Sequence, residues 1–197
     1  MFYLLKGIPF IYQGQEFGSA NSFYGDISCF NDVETVNYYH DNLNKKPREK
    51  LIAEINYGSR DNTRRPLAWT NESGAHGFTS GTPWLKMPSR ADEINLEKDR
   101  ASEKSIFAFY KKLLALRKAS GAIRYGSFKD VTKNDGCFVY ERALGGDKIV
   151  VAVNFEKNNE IILPAMPINA RTEILLCNYP DAESSATHFR PFEIRVY

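Results

Sequence analysis

The chain has 197 residues, a net charge of +2, 43% hydrophobic and 25% charged residues, the profile of a soluble globular protein of one to one and a half domains. So small a net charge gives no general electrostatic case for nucleic acid, and no run reaches the ~18–20 apolar residues of a membrane span. Cys29, Cys137 and Cys177 are far apart, as are His40, His76 and His188. That scatter argues against a zinc site, predicts no metal or cofactor, and favours a reducing, cytoplasmic setting.

Residues 1–6 read as the last turn of an apolar helix. They lack the basic region and the uninterrupted apolar run of a signal peptide. Ile8 to Tyr12 is a short, nearly continuous apolar run, the pattern of a strand buried on both faces of a parallel sheet. Gln13-Gly14-Gln15-Glu16 then turns abruptly polar, as strand ends facing a ligand do, or as a solvated turn does. Residues 18–46 form an irregular excursion rich in Gly, Ser, Asn and Asp, with a short helix from Val33 to Leu43. Pro47 begins a second helix with an apolar face of Leu51, Ile52 and Ile55, and Gly58 can stop it.

The densest polar stretch follows: Arg60, Asp61, Asn62, Arg64 and Arg65, closed by Pro66 and Trp69. With Gly77 to Leu85 it belongs to an ordered loop from about residue 13 to about residue 100, too long to be a mere connection. Ser105 to Lys118 is the clearest helix, with Ile106, Tyr110, Leu113 and Leu114 on one face and Ser102 as the expected cap. After Gly121 the period becomes that of strands, at residues 138–142, 148–155, 160–163, 173–177 and 192–196. Turn-grade sequences stand at Asn134-Asp135-Gly136 and Gly145-Gly146-Asp147. Short strands with close turns predict an antiparallel β-sandwich, with a domain boundary near residue 120.

Of possible chemistries, glycoside hydrolysis needs two carboxylates across a cleft. Glu16, Asp26, Asp32, Glu34 and Asp61 are the loop acids, but spacing alone pairs none of them. No Ser–His–Asp signature, P-loop or dinucleotide fingerprint appears. The Arg60 guanidinium presents a planar fork suited to carboxylates, phosphates or vicinal hydroxyls. Asp61 either holds Arg60 or meets a ligand itself. Alternatively, an Arg–Asp network simply pins the loop, with Arg64 and Arg65 facing solvent.

Six motifs occur in one order: Tyr12-Gln-Gly-Gln-Glu16, Asp32-Val-Glu-Thr-Val-Asn37, Ser59 to Trp69, Gly77 to Trp84, Glu93-Ile-Asn95, and Ser105 to Lys118. The series closely resembles the carboxyl-terminal part of α-glucosidases of the α-amylase superfamily, glycoside hydrolase family 13. The likeness is to the oligo-1,6-glucosidase, dextran glucosidase and trehalose-6-phosphate hydrolase group. The resemblance implies an α/β plus all-β architecture. Residues 1–120 would be the last strand–loop–helix unit of a (β/α)8 barrel, and residues 121–197 an antiparallel β-sandwich domain. It implies that the family's nucleophile, acid/base glutamate and stabilising aspartate lie before Met1, so no catalytic residue is expected here and the chain alone is expected to be inert. It implies substrate binding by Arg60, which matches the family's Arg-Asp-Asn arginine, and by Glu34, which matches its Glu-Thr-x-Asn glutamate. Asp61 and Glu16 are expected in support. The sequence departs from the family's usual Arg-Thr-Pro-Met-Gln-Trp at Arg65, Leu67 and Ala68. The expected partners are an oligosaccharide, bound weakly or not at all by this chain alone, and, through exposed barrel surfaces, other copies of the chain. The alternative is a non-catalytic carbohydrate-binding or interaction module.

Overall fold

The computed structural model describes residues 1–132, 135–162, 172–183 and 187–197. The chain divides into two compact units, one of Ile11–Ala108 and one of Met1–Phe10 with Phe109–Tyr197. The expected boundary at residue 120 falls inside the second. Asn134 of one expected turn and Leu163 of one expected strand lie outside the described residues.

In the unit Ile11–Ala108, irregular backbone is organised by two helices, α1 (Val33–Asn42) and α2 (Arg48–Gly58). Asp32 caps α1 by accepting from Thr35 N, and Pro47 stands at the entry to α2, where a fixed φ and a missing N–H cost nothing. Leu51, Ile52 and Ile55 of α2 bury against Tyr39 of α1 and against Cys29 and Phe30 of the preceding segment. Side chains replace a backbone ladder in the loops. Asn56 exchanges two bonds with the backbone of Tyr24, and Asn62 joins Asn56 O to Ser22 N. A short helix, α3 (Leu96–Ala101), is capped by the buried Asn95.

Helix α4 (Ile106–Ala119) and the short α5 (Gly121–Tyr125) follow. Ser102 is not the cap of α4. Asp99 accepts from the Ile106 and Phe107 amides, and Ser105 Oγ accepts from Ala108 N. Two oxygen side chains thus satisfy the amides that Ser102 is too far back to reach.

Seven strands are described: β1 (Ser127–Asp130), β2 (Cys137–Leu144), β3 (Asp147–Asn154), β4 (Ile161–Ile162), β5 (Leu176–Cys177), β6 (His188–Phe189) and β7 (Ile194–Val196). β1-β2-β3-β7-β5 form one antiparallel sheet, and β4-β6 a separate two-stranded ribbon. Among the described residues, the β-sandwich expectation is therefore corrected to one five-stranded sheet with a small ribbon. The physical reason lies in the cores. Tyr140, Val151 and Val196 on one sheet face pack with Leu113 of α4, Ile123 of α5 and the amino-terminal Tyr3 and Leu4, so helices close that face. Val139, Val150 and Ala152 on the other face pack with Phe189 of the ribbon.

A second correction concerns residues 8–12, which form no strand. No neighbouring strand among the described residues is paired with them, and a lone strand cannot satisfy its backbone groups. Ile8 and Phe10 are instead more than 80% exposed. Among the described residues no helix is long and apolar enough to cross a membrane, and no group of His, Cys, Asp or Glu is placed to hold a metal ion.

Candidate functional site

The site is built where the start of α1 meets the turn after α2. Ser59 ends α2, and its hydroxyl accepts from Asp61 N, which winds Arg60–Thr63 into one 3-10 turn. That turn sends Arg60 and Asp61 in different directions. Asp61 is fully buried, while the Arg60 side chain is 57% exposed.

Asp61 does not bond Arg60. Its Oδ2 accepts from the amides of Asn31 (2.6 Å) and Asp32 (2.9 Å), and its Oδ1 accepts from Arg64 Nη2 at 3.0 Å. It therefore fixes the backbone just before α1, and with it the position of Asp32. Asp32 is the hub. One carboxylate oxygen caps α1 through Thr35 N, and the other accepts from Arg60 Nε (3.1 Å), Arg60 Nη2 (2.8 Å) and Arg64 Nη2 (3.1 Å). Burial pushes the Asp32 carboxyl up, but bonds from Thr35 and Arg60 outweigh it and hold it down at about 2. The Asp32 bond, despite some desolvation, raises the Arg60 guanidinium in turn.

Glu34, one residue into α1, places Oε2 3.3 Å from Arg60 Nη2 and is itself 76% exposed. The structure thus brings Arg60 and Glu34 together directly, and links Asp61 to them through Asp32. At 57% exposure, the rest of the Arg60 fork faces solvent. Glu16 sits apart, in the 3-10 turn Gln15–Phe17, and shares no bond with Arg60, Glu34 or Asp61. One of its carboxylate oxygens is buried without a partner among the described residues. A groove of about 480 Å³ opens beside Arg60 and Glu34, lined also by Tyr38, Glu54 and Ile55.

Sequence reasoning treated Asp32 as one loop acid among several. The signal that points to it is local: an aspartate three residues before Thr35, with Glu34 in the first turn, is an N-cap pattern. The alternative reading, a network that simply pins the loop, placed Arg65 in solvent. Arg65 is 5% exposed, lies 4.3 Å from the Tyr24 ring and 5.4 Å from the Phe30 ring, and donates to the carbonyls of Lys86 and Cys29. Its planar, weakly hydrated head suits that aromatic slot. Arg64 is half-exposed and lies 6.0 Å from the Trp84 ring.

Residues 1–126 match the alpha-amylase family, described as the alpha amylase catalytic domain. The chain belongs to the alpha-amylase family. It is similar to an oligo-1,6-glucosidase of Halalkalibacterium halodurans, 37% identical over 203 residues, which cover 100% of this chain and 36% of that protein. It is also similar to a trehalose-6-phosphate hydrolase of Escherichia coli, 33% identical, covering 96% of this chain and 35% of that one. Among solved structures, a trehalose-6-phosphate hydrolase of Bacillus licheniformis superposes with a TM-score of 0.87 at 35% identity, over 99% of this chain and 36% of that one. The trehalulose synthase of Pseudomonas mesoacidophila superposes at 0.82 and 30% identity, over 98% of this chain and 35% of that one. This alpha-amylase-family chain thus spans about 36% of the length of the first relatives it matches.

Proposed function

We propose that the chain forms the carboxyl-terminal part of a retaining α-glucosidase that hydrolyses α-glucosidic bonds of short oligosaccharides, in the manner of the oligo-1,6-glucosidases. Arg60 and Glu34 hold the substrate, with Asp61, through Asp32, and Glu16 in support. The two carboxylates that such a mechanism needs, one as nucleophile and one as acid then base, come from the part of the enzyme that precedes this chain. The chain alone is inert. Its bare apolar segment at Ile8 and Phe10 favours self-association, and three free cysteines suit a cytoplasmic setting.

One observation carries this reading. In a chain alike over its whole length to these glycosidases, an exposed guanidinium fork is fixed by a buried carboxylate, beside an exposed glutamate. Such a pair offers both donors and acceptors to vicinal sugar hydroxyls without moving.

The test is an exchange. The matched third of the Halalkalibacterium halodurans relative is replaced by this chain, and the chimera is assayed with p-nitrophenyl α-glucoside. Hydrolysis is expected, with α-glucose as first product, and Arg60→Ala is expected to lower kcat/KM by about 100-fold. A folded chimera that does not hydrolyse, or one indifferent to Arg60→Ala, overturns the reading. The 197 residues alone are expected to match a buffer blank.

A further inference from the structure

The groove beside Arg60 continues past Glu34 between α1 and α2. Tyr38 stands four residues after Glu34 on α1, one turn further along the same face. Its hydroxyl donates to Glu54 Oε2 of α2 at 2.5 Å. Lys46 Nζ donates to both Glu54 oxygens (3.1 and 2.9 Å), lies 2.8 Å from the Tyr38 hydroxyl and 5.4 Å from the ring centre. The ring is therefore fixed by its hydroxyl while its body remains 37% exposed in the groove.

The charges here are already matched. Arg60 is bonded to Asp32 and Glu34, Arg64 to Asp32 and Asp61, and Lys46 to Glu54. Lys50 acts on Glu54 without an ion-pair contact. The most open charge on the groove wall is the Glu34 carboxylate, 76% exposed against 57% for Arg60. A phosphorylated sugar would meet that carboxylate first, and the cations beside the groove, Arg60 and Lys46, are already paired with carboxylates. A neutral sugar meets hydroxyl-matching acceptors, the exposed Arg60 guanidinium and an aromatic face.

We propose that Tyr38, held by Glu54 and Lys46, is a second saccharide position beyond Arg60 and Glu34, and that the groove takes unphosphorylated gluco-oligosaccharides and rejects sugar phosphates. The proposal rests on the glycosidase reading and names its substrate class. Tyr38 and Glu54 contact the ligand, and Lys46 positions them.

The experiment is an amide NMR titration of the 15N-labelled 197-residue chain with isomaltotriose and, separately, with glucose 6-phosphate. Isomaltotriose is expected to shift residues 34–38 and 54–60 saturably, and glucose 6-phosphate to bind at least tenfold more weakly. Tyr38→Ala is expected to weaken isomaltotriose binding at least tenfold with the spectrum otherwise dispersed, whereas Tyr38→Phe, which keeps the ring, stays within about threefold. Glu54→Gln, which frees Lys46, is expected to strengthen glucose 6-phosphate binding. Equal or tighter binding of the phosphate by the unaltered chain overturns the proposal, as does an unaffected Tyr38→Ala or the absence of shifts with either sugar. None of these outcomes bears on whether the chimera hydrolyses an α-glucoside, so the two readings fail separately.

Discussion

Asp61 is the most buried charge in the Ile11–Ala108 unit, and replacing it separates two roles that one carboxylate combines. Asp61→Ala strands the Asn31 and Asp32 amides that its Oδ2 accepts from. Each unsatisfied donor costs about 1–3 kcal/mol when buried. Arg64 is 40% exposed and keeps Asp32 at 3.1 Å, so its loss adds little. The Asn31 amide is only partly buried, which pulls the sum toward its lower half. The expected cost is about 2–4 kcal/mol. Asp61→Asn keeps an oxygen for both amides and loses the charge-assisted bond to Arg64, so its cost is about 1–2 kcal/mol. The assay is urea unfolding followed by tryptophan emission. Both tryptophans of the chain, Trp69 and Trp84, lie in Ile11–Ala108, so the signal belongs to that unit alone. With a slope of about 2 kcal/mol per molar, the midpoint is expected to fall by about 1–2 M for alanine and by about 0.5–1 M for asparagine. An alanine midpoint within about 0.3 M of the parent, or an asparagine variant as unstable as the alanine one, refutes the assignment of Asp61 as the buried acceptor.

Three further predictions use the same logic. Arg65→Met, which removes an orphaned Nε while keeping volume in the Tyr24–Phe30 slot, is expected within about 1.5 kcal/mol of the parent or above it; Arg65→Ala is expected to lose about 2–4 kcal/mol in the same urea assay. Equal losses would show that the charge, not the packing, holds the slot. Gly126→Ala would place a Cβ 2.3 Å from Ala122 O and 2.6 Å from Ala143 O, both backbone atoms. Its thermal transition by far-ultraviolet circular dichroism is expected to drop by the equivalent of about 3 kcal/mol, and an unchanged transition counts against so close an approach of backbone at the entry to β1. For Asp32, a folded-state value near 2 lies below the unfolded one near 3.8. Its stabilisation is therefore fully present above the unfolded value and lost as pH falls through the folded one. Tryptophan-monitored stability is expected to decline between about pH 4 and pH 2, and to decline less steeply in Asp32→Asn, which starts lower; superimposable pH profiles would remove Asp32 from the acid response.

The regular elements were legible because local rules set them. Pro47 before Leu51, Ile52 and Ile55 marks α2, and alternation marks the β2–β3 hairpin, whose strands run residue for residue from Cys137↔Asn154 to Leu144↔Asp147. Residues 8–12 misled because an apolar run reports a wish for burial, not the presence of a neighbour to pair with. The sandwich misled for a related reason. Strand period shows that a face is apolar, but not that helices rather than a second sheet will cover it. At the site, family resemblance singled out Arg60 and Glu34, and the structure brings the two within 3.3 Å. The Asp61–Asp32–Arg60 relay was not, because adjacent residues in a 3-10 turn point apart, and no spacing rule says which acid takes which arginine.

That relay bears on how the site tolerates change. Asp32 caps α1 with one oxygen and receives Arg60 with the other, so the helix start and the exposed guanidinium fork share one anchor. A substitution at Asp32 or Asp61 therefore lowers stability and misplaces Arg60 together, whereas one at Glu34 or Tyr38, on the exposed face of the same helix, leaves the cap intact. Selection on substrate choice can act on that face without disturbing the fold. Under the proposed function, the groove wall formed by Glu34 and Tyr38 of α1 and Glu54 of α2 is where a substitution can alter sugar choice without loosening the anchor that holds Arg60.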